Sequence, residues 1–241
     1  MSALKWDQDG KRLYETGVDQ VVLYLKDSNG DYKNGVAWNG VSQIQESPSG
    51  ADPTDIYADN IKYLSIRAAE KFGATIECYT YPDEWEQCDG SEEPETGIII
   101  GQQTRKPFGL SYRTLIGNDI DMNDHGYKYH LIYNATASPS ERSYSTVNDS
   151  PEAASFSYEI ETTPVPVTNY KPTSRLIIDS TKVDATKLAS FLETLHGRDA
   201  DAEHSIEAKI AELPAPDDVI AHFATQQSNQ TVLDGDATPA G

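Results

Sequence analysis

The chain is poor in sulfur, in positive charge and in long apolar runs. It has 2 Cys and 2 Met among 241 residues. Cys78 and Cys88 have neither a second cysteine pair nor paired histidines at ligand spacing, which excludes the usual zinc motifs. Cys78 falls on the apolar side of an alternating segment and reads as a buried free thiol. Lys and Arg number 19 against 39 Asp and Glu, a net charge of −20. Such a surface repels nucleic acid and anionic membrane, and it also favours solubility. No apolar stretch approaches the roughly 20 residues of a bilayer-spanning helix. Lys5, Asp7, Asp9, Lys11 and Arg12 break up the first residues, so no signal peptide is expected and synthesis in a reducing cytoplasm is.

What the chain does have is strand and turn formers: 14 Tyr, 16 Gly and 13 Pro. A chain of this length buries about three quarters of its unfolded surface and needs no staple. Composition and spacing together favour a mainly β fold, a sandwich or barrel, over a helical bundle. Residues 38–46, a segment from 61 and residues 74–81 read as strands. In the last, Thr75, Glu77 and Tyr79 alternate with Ile76 and Cys78. Between the first two lies a polar loop, 47–60, carrying Pro48, Gly50 and Pro53, and a loop of that length usually has a job. Residues 20–25 form a short strand, and 82–87 allow one or two helical turns. The run Ile98, Ile99, Ile100 reads as short and buried. Segments 107–116 and 127–135 alternate and form a hairpin across a polar turn. Segments 152–163 and 173–179 supply further strands. Residues 184–196 are a helix with Ala185, Leu188, Leu192 and Leu195 on one stripe and Gly197 as its stop.

Motifs for chemistry are scarce. Asp119, Asp121 and Asn123 are spaced like the opening of a calcium loop, but Asp124 stands where glycine is required and His130 where the last glutamate belongs. A plain acidic turn accounts for them. No nucleophile elbow, phosphate loop or dinucleotide fingerprint occurs. No catalytic, cofactor-binding or metal-ligating residue is therefore assigned, and the chain is not expected to be an enzyme.

The runs Trp38-Asn39-Gly40, Glu46-Ser47-Pro48-Ser49-Gly50-Ala51, IYADNIKY (56–63), Phe72-Gly73-Ala74-Thr75 and Tyr81-Pro82-Asp83-Glu84 occur in an order that resembles the major tail (tail tube) proteins of long-tailed bacteriophages. The likeness is to the branch found in phages of Gram-positive hosts, and it reaches residue 223 through LPAPDDVIAHF (213–223). It implies a β-sandwich or half-barrel with one flanking α-helix, closing into a shared β-barrel in a hexameric ring. Stacked rings make a non-contractile tail tube that carries viral DNA without binding it specifically. Implied partners are further copies of the chain, a tape-measure protein and tail-end proteins, in the virion and not at a membrane.

Mapped onto this sequence, residues 1–19 are an N-terminal arm, 20–197 the sandwich with loop 47–60 and helix 184–196, and 198–224 a C-terminal arm. Residues 225–241 have few apolar groups and are expected to be a disordered tail. Expected ring-stacking residues are Leu4, Trp6, Pro48, Ser49, Gly50, Tyr57, Asp59 and Asn60. Expected lumen residues are Gln43, Gln45 and Glu46. The alternative is a soluble carbohydrate-binding β-sandwich using the many tyrosines, which self-association would distinguish.

Overall fold

A computed structural model describes residues 3–50, 52–144, 146, 153–201, 204 and 207–224. In chain order the first strands are β1 (Tyr14–Lys26), β2 (Tyr32–Ala37), β3 (Val41–Glu46), β4 (Ser49–Gly50), β5 (Pro53–Ala58), β6 (Ile61–Arg67), β7 (Glu70–Lys71) and β8 (Gly73–Cys78). A 3₁₀ turn, Asp83–Trp85, runs into α1 (Glu86–Asp89), and then come β9 (Glu92–Glu95) and β10 (Ile98–Ile100). The long strands β11 (Phe108–Asn118) and β12 (Met122–Ala137) precede β13 (Phe156–Thr162), β14 (Val165–Val167), β15 (Tyr170–Thr173) and β16 (Arg175–Asp179). Helix α2 (Ala185–His196), β17 (Glu212–Leu213) and α3 (Pro216–Phe223) complete the described chain.

One antiparallel sheet of nine strands organises the molecule, in the order β17-β2-β1-β11-β12-β13-β8-β3, with β16 also on β12. Strand β12 is the pivot. Its residues 128–132 pair with β16, and Ala135–Ala137 then pair with β13. Strands β13, β8 and β3 thereby curl back over β1 and β11, enclosing Val21, Leu23 and Leu110 with Ile76 and Tyr158, and Trp38 N, donating to Val21 O at 2.8 Å, extends the β1–β2 ladder. No ladder joins β3 to β1, so the single chain is a half-barrel and not a closed one.

The curl encloses one core and leaves a second on the sheet's other face. Phe108, Leu110 and Tyr112 of β11 point into the first, with Ile76, Tyr158, Trp38 and Trp85. Trp38 and Trp85 lie 4.6 Å apart by ring centroid, and the Trp38 indole N–H donates to Thr80 O. The left-handed Gly90 ends α1 beneath Trp85. Cys78 and Cys88 are free and buried here, and burial pushes their thiols up to about 11 and about 12. The expected buried thiol at Cys78 is present.

On the other face, Tyr129, Leu131 and Tyr133 of β12 meet Leu188, Phe191 and Leu195 of α2. Asp184, which the sequence reading placed inside the helix, is its N-cap and accepts from Lys187 N. Val219 of α3 and Leu213 of β17 join this core. Segment 198–224, expected as an arm, thus docks on its own sheet within 212–223, because Leu213, Val219 and Phe223 have a face to cover. Among the described residues, α3 lies beside the expected flanking helix α2 on this face. The tail, 225–241, lies outside the described residues.

Two local readings are corrected. Residues 47–60 are not an irregular loop: β5 pairs with β6 from Pro53↔Arg67 to Ala58↔Ile61. Asp59 and Asn60 turn the chain at φ 52° and 61°, the left-handed pair of a tight hairpin turn. The run Ile98–Ile100 is not buried; it forms a two-stranded hairpin with β9, and its side chains are 42–58 % exposed. Strand β1 also starts earlier than expected, since Tyr14 already pairs with Gly117.

Candidate assembly surfaces

Among the described residues, three segments expose clusters of large apolar side chains. The first is the β5–β6 hairpin. Both strands pair only with each other, and every residue of β6 is exposed. Tyr57 is 68 % exposed, Ile61 63 %, Tyr63 67 % and Ile66 54 %. Opposed residues of an antiparallel pair share a face, so Ile56 with Leu64 and Thr54 with Ile66 make one continuous strip. Lys62 donates to Asp55 at 2.7 Å and, with Ser65, holds that carboxyl below its usual range. The hairpin is ordered by its own ladder and turn, not by packing.

At its root the chain is anchored more firmly. Gly50 at φ +85° pairs with Glu70, and a Cβ there would lie 2.9 Å from Ala69 O. Of the expected stacking residues, Gly50 therefore has a backbone duty in the hairpin's base, beside Ser49, which pairs with Lys71. Pro48 is exposed in the link to β3. Tyr57, Asp59 and Asn60 cluster at the tip.

Glu46, the last residue of β3, ties this root to the body. It sits opposite Ala74, on the inner side of the curl, whereas Gln43 and Gln45 sit opposite Glu77 and Thr75 on the outer side. Tyr112 donates to Glu46 Oε1 at 2.7 Å, Arg175 donates to Oε2, and His130 Nδ1 lies 3.4 Å from Oε1. His130 stacks flat on Tyr112 and meets Thr114 Oγ1 through Nε2 at 3.0 Å. The His130 ring, the Tyr112 hydroxyl and the Arg175 guanidinium hold the Glu46 carboxyl below its usual range. Burial, and then the Glu46 carboxylate, push the Tyr112 hydroxyl well above its usual range. The alternation of residues 43–46, beyond the irregularity between Val41 and Gln43, was the signal that separates Glu46 from Gln43 and Gln45.

The outer face of β3, β8 and β13 is polar and acidic. Gln43, Glu77 and Ser157 form one row across it; Gln45, Thr75 and Glu159 form the next. No Lys or Arg interrupts these strands.

The second apolar feature is the N-terminal segment. Leu4 is 78 % and Trp6 75 % exposed. Further along, Gly10 N and Arg12 donate to Asp119, and Tyr14 donates to Asn123, so the segment is moored to the β11–β12 turn while its tip stays uncovered. The third is the β9–β10 hairpin, whose exposed isoleucines the sequence reading placed inside.

Asp121, expected as part of an acidic turn, accepts from Asn118 and contacts His125. Among the described residues no group of three His, Cys, Asp or Glu side chains is gathered for a metal. A groove of about 630 Å³ runs between this turn and α2, lined by Leu115, Tyr127, Leu188 and Leu192. Its Arg113 is already clasped by both oxygens of Asp19. No helix among the described residues is long and apolar enough to cross a membrane.

No protein-family model matches the chain, and no curated protein matches it significantly. Among solved structures it is similar to a chain of the PVC sheath–tube complex of an extracellular contractile injection system, in the extended state. That likeness has a TM-score of 0.29 and 11 % identity, over 73 % of this chain and 94 % of that one. A chain of the PVC sheath/tube terminator gives a TM-score of 0.27 and 12 % identity, over 73 % and 99 %. Superpositions this loose leave a common fold undemonstrated.

Proposed function

We propose that this chain is a tail tube protein of a long-tailed phage, a structural protein without turnover. In this reading its copies close into hexameric rings, and the rings stack into a non-contractile tube through which DNA is ejected. The observation that carries it is the β5–β6 hairpin, whose Ile, Leu and Tyr side chains are exposed and which pairs with no other strand among the described residues. Exposed contiguous apolar surface of this kind marks an interaction site. An isolated two-stranded hairpin is marginal in water, so a partner surface completes it.

Three further features fit. The sheet is a half-barrel with open edges, and ring closure removes such edges. The tip of the N-terminal segment, Leu4 and Trp6, is free to reach a neighbouring ring together with Pro48, Ser49, Gly50, Tyr57, Asp59 and Asn60. The outer face bearing Gln43 and Gln45 has the charge a DNA conduit needs, since each basic group there would add a phosphate trap. In this reading that face is the lumen wall, with Glu46 bracing it from behind. The tape-measure and tail-end proteins are the expected further partners.

Negative-stain electron microscopy of the purified chain across a concentration series tests the proposal. Rings or tubes are the expected result. A chain that stays monomeric at the highest concentrations contradicts it and favours a small binding module such as a carbohydrate-binding sandwich.

A further inference from the structure

The groove between the β11–β12 turn and α2 has an apolar wall, and the exposed tip of the N-terminal segment is moored beside it. Leu115, Tyr127, Leu188 and Leu192 form that wall, with Ala185 and Ala189 along the helix and Asp124 and His125 at the turn. One amide nitrogen joins the two features: Asn118 Nδ2 contacts Gly10 O at 3.4 Å and His125 Nδ1 at 3.1 Å. Tyr14 donates at 2.9 Å to Oδ1 of Asn123, which also lines the groove. Segment 10–14 is thus tied at both ends to the groove's turn side. Trp6 lies four residues before Gly10, so it is at most about 14 Å of extended chain away. Between tip and anchor the backbone bends twice, at Asp7 with φ 50° and at Gly10 with φ 76°. For an aspartate that left-handed conformation is sparsely populated, and Arg12 holds it by donating to Asp7 O at 3.0 Å.

We propose that residues 4–7 are a strap that closes over this groove of their own chain as Asp7 relaxes to extended backbone, seating Leu4 and Trp6 on Leu115, Leu188 and Leu192. In extended chain Leu4 and Trp6 share one side and Lys5 takes the other. Lys5 therefore stays at the surface, where Asp124 of the rim, like Lys5 itself, has no ion pair among the described residues. The groove's 630 Å³ falls within the roughly 300–1,000 Å³ of pockets that take small ligands, which is room for an indole and a leucine side chain. Opening and closing need only the two bent residues to turn, and no ladder of the sheet is broken. A closed strap withholds Leu4 and Trp6 from a neighbouring ring, a restraint on assembly that rests on the tube reading above.

Trp6 reports the closure. Trp38 and Trp85 are buried, so the difference between the full-length chain and its Trp6→Phe variant isolates the Trp6 emission. Acrylamide quenching of that component is measured in dilute chain, below the concentration at which anything pellets. It should be at least about threefold weaker than for N-acetyltryptophanamide and unchanged on further dilution, because the shielding scales with the closed population of a single chain. Ala189→Arg fills the groove from an exposed position of α2 and should raise the quenching at least about twofold while the circular dichroism melt stays that of wild type. If that variant melts early, Ala185→Arg serves with the same expectation. In the groove-filled chain, tubes should also appear at a concentration at least about threefold lower. A Trp6 as quenchable in wild type as in Ala189→Arg would overturn the strap and leave the tube reading standing. Shielding that grows with concentration would put the tip on a second copy and overturn it too. Shielding lifted by Ala189→Arg with an unchanged tube threshold would overturn the restraint on assembly. A chain that never forms tubes would overturn the tube reading and the restraint with it, while the quenching still decides the strap.

Discussion

Two hairpins in this chain are built from the same kinds of residue and have opposite fates. In β11–β12, Leu110, Tyr112, Leu131, Ile132 and Tyr133 are almost wholly buried, because the curled strands cover one face and α2 the other. In β5–β6, Ile56, Tyr57, Tyr63, Leu64 and Ile66 are exposed, and among the described residues the two strands pair only with each other. Strand-forming composition gives a hairpin in both cases. Burial is decided elsewhere, by what the topology brings over it. On the function proposed above, the uncovered hairpin is half of an interface.

The largest expected effects lie in the covered hairpin and its lid. Leu131→Ala should cost about 2–5 kcal/mol of unfolding free energy, since the site is closed on all sides, and urea denaturation measures it. Ending the chain at residue 211 should destabilise it comparably, since Leu213, Val219 and Phe223 no longer cover the second core. A truncated chain with wild-type stability would instead leave 198–224 as the free arm that the sequence suggested.

A middle-sized effect belongs to Glu46, which joins the two regions. Glu46→Gln should cost about 1–3 kcal/mol at neutral pH by weakening its charged hydrogen bonds. The folded pKa of Glu46 lies below the ordinary glutamate value. Its contribution is therefore full above that value and lost as pH falls through the folded one. Wild type should lose more stability than Glu46→Gln in that acid window. Parallel stability profiles would remove Glu46 from the account of how the hairpin root is held.

The smallest effects on stability, and the largest on assembly, are expected in the uncovered region. Tyr63→Ala and Ile66→Ala should each change monomer stability by about 0.5 kcal/mol or less, yet abolish tubes in electron micrographs. Deleting residues 1–8 should likewise leave the fold intact and remove tubes, because Leu4 and Trp6 are 78 % and 75 % exposed. Normal tubes from either variant would break the comparison.

Much of the core was legible in the sequence. The alternation Thr75, Ile76, Glu77, Cys78 fixes which face of β8 is inside, and the stripe from Leu188 to Leu195 with Asp184 before it fixes α2. Segment 47–60 was misread because Pro48, Gly50 and Pro53 signal irregular chain, while Asp59-Asn60 signals a hairpin only if both adopt φ > 0. Ile98–Ile100 was misread because an apolar run implies burial only when something lies over it. Glu46 was grouped with Gln43 and Gln45 by polarity, although its place in the alternation puts it on the other face. Local pattern decides strands and faces; which faces are left for another chain depends on long-range topology, which no short window holds.

Hydrogen exchange on residues 53–67, compared between the monomer and the assembled form, tests the account most directly. A marginal hairpin with exposed ladder bonds should exchange quickly when free. In assemblies the same amides should slow by at least about tenfold, while those of 128–133 in β12 stay protected in both forms. Equal protection of 53–67 in the two states would contradict the claim that this hairpin is completed by another copy.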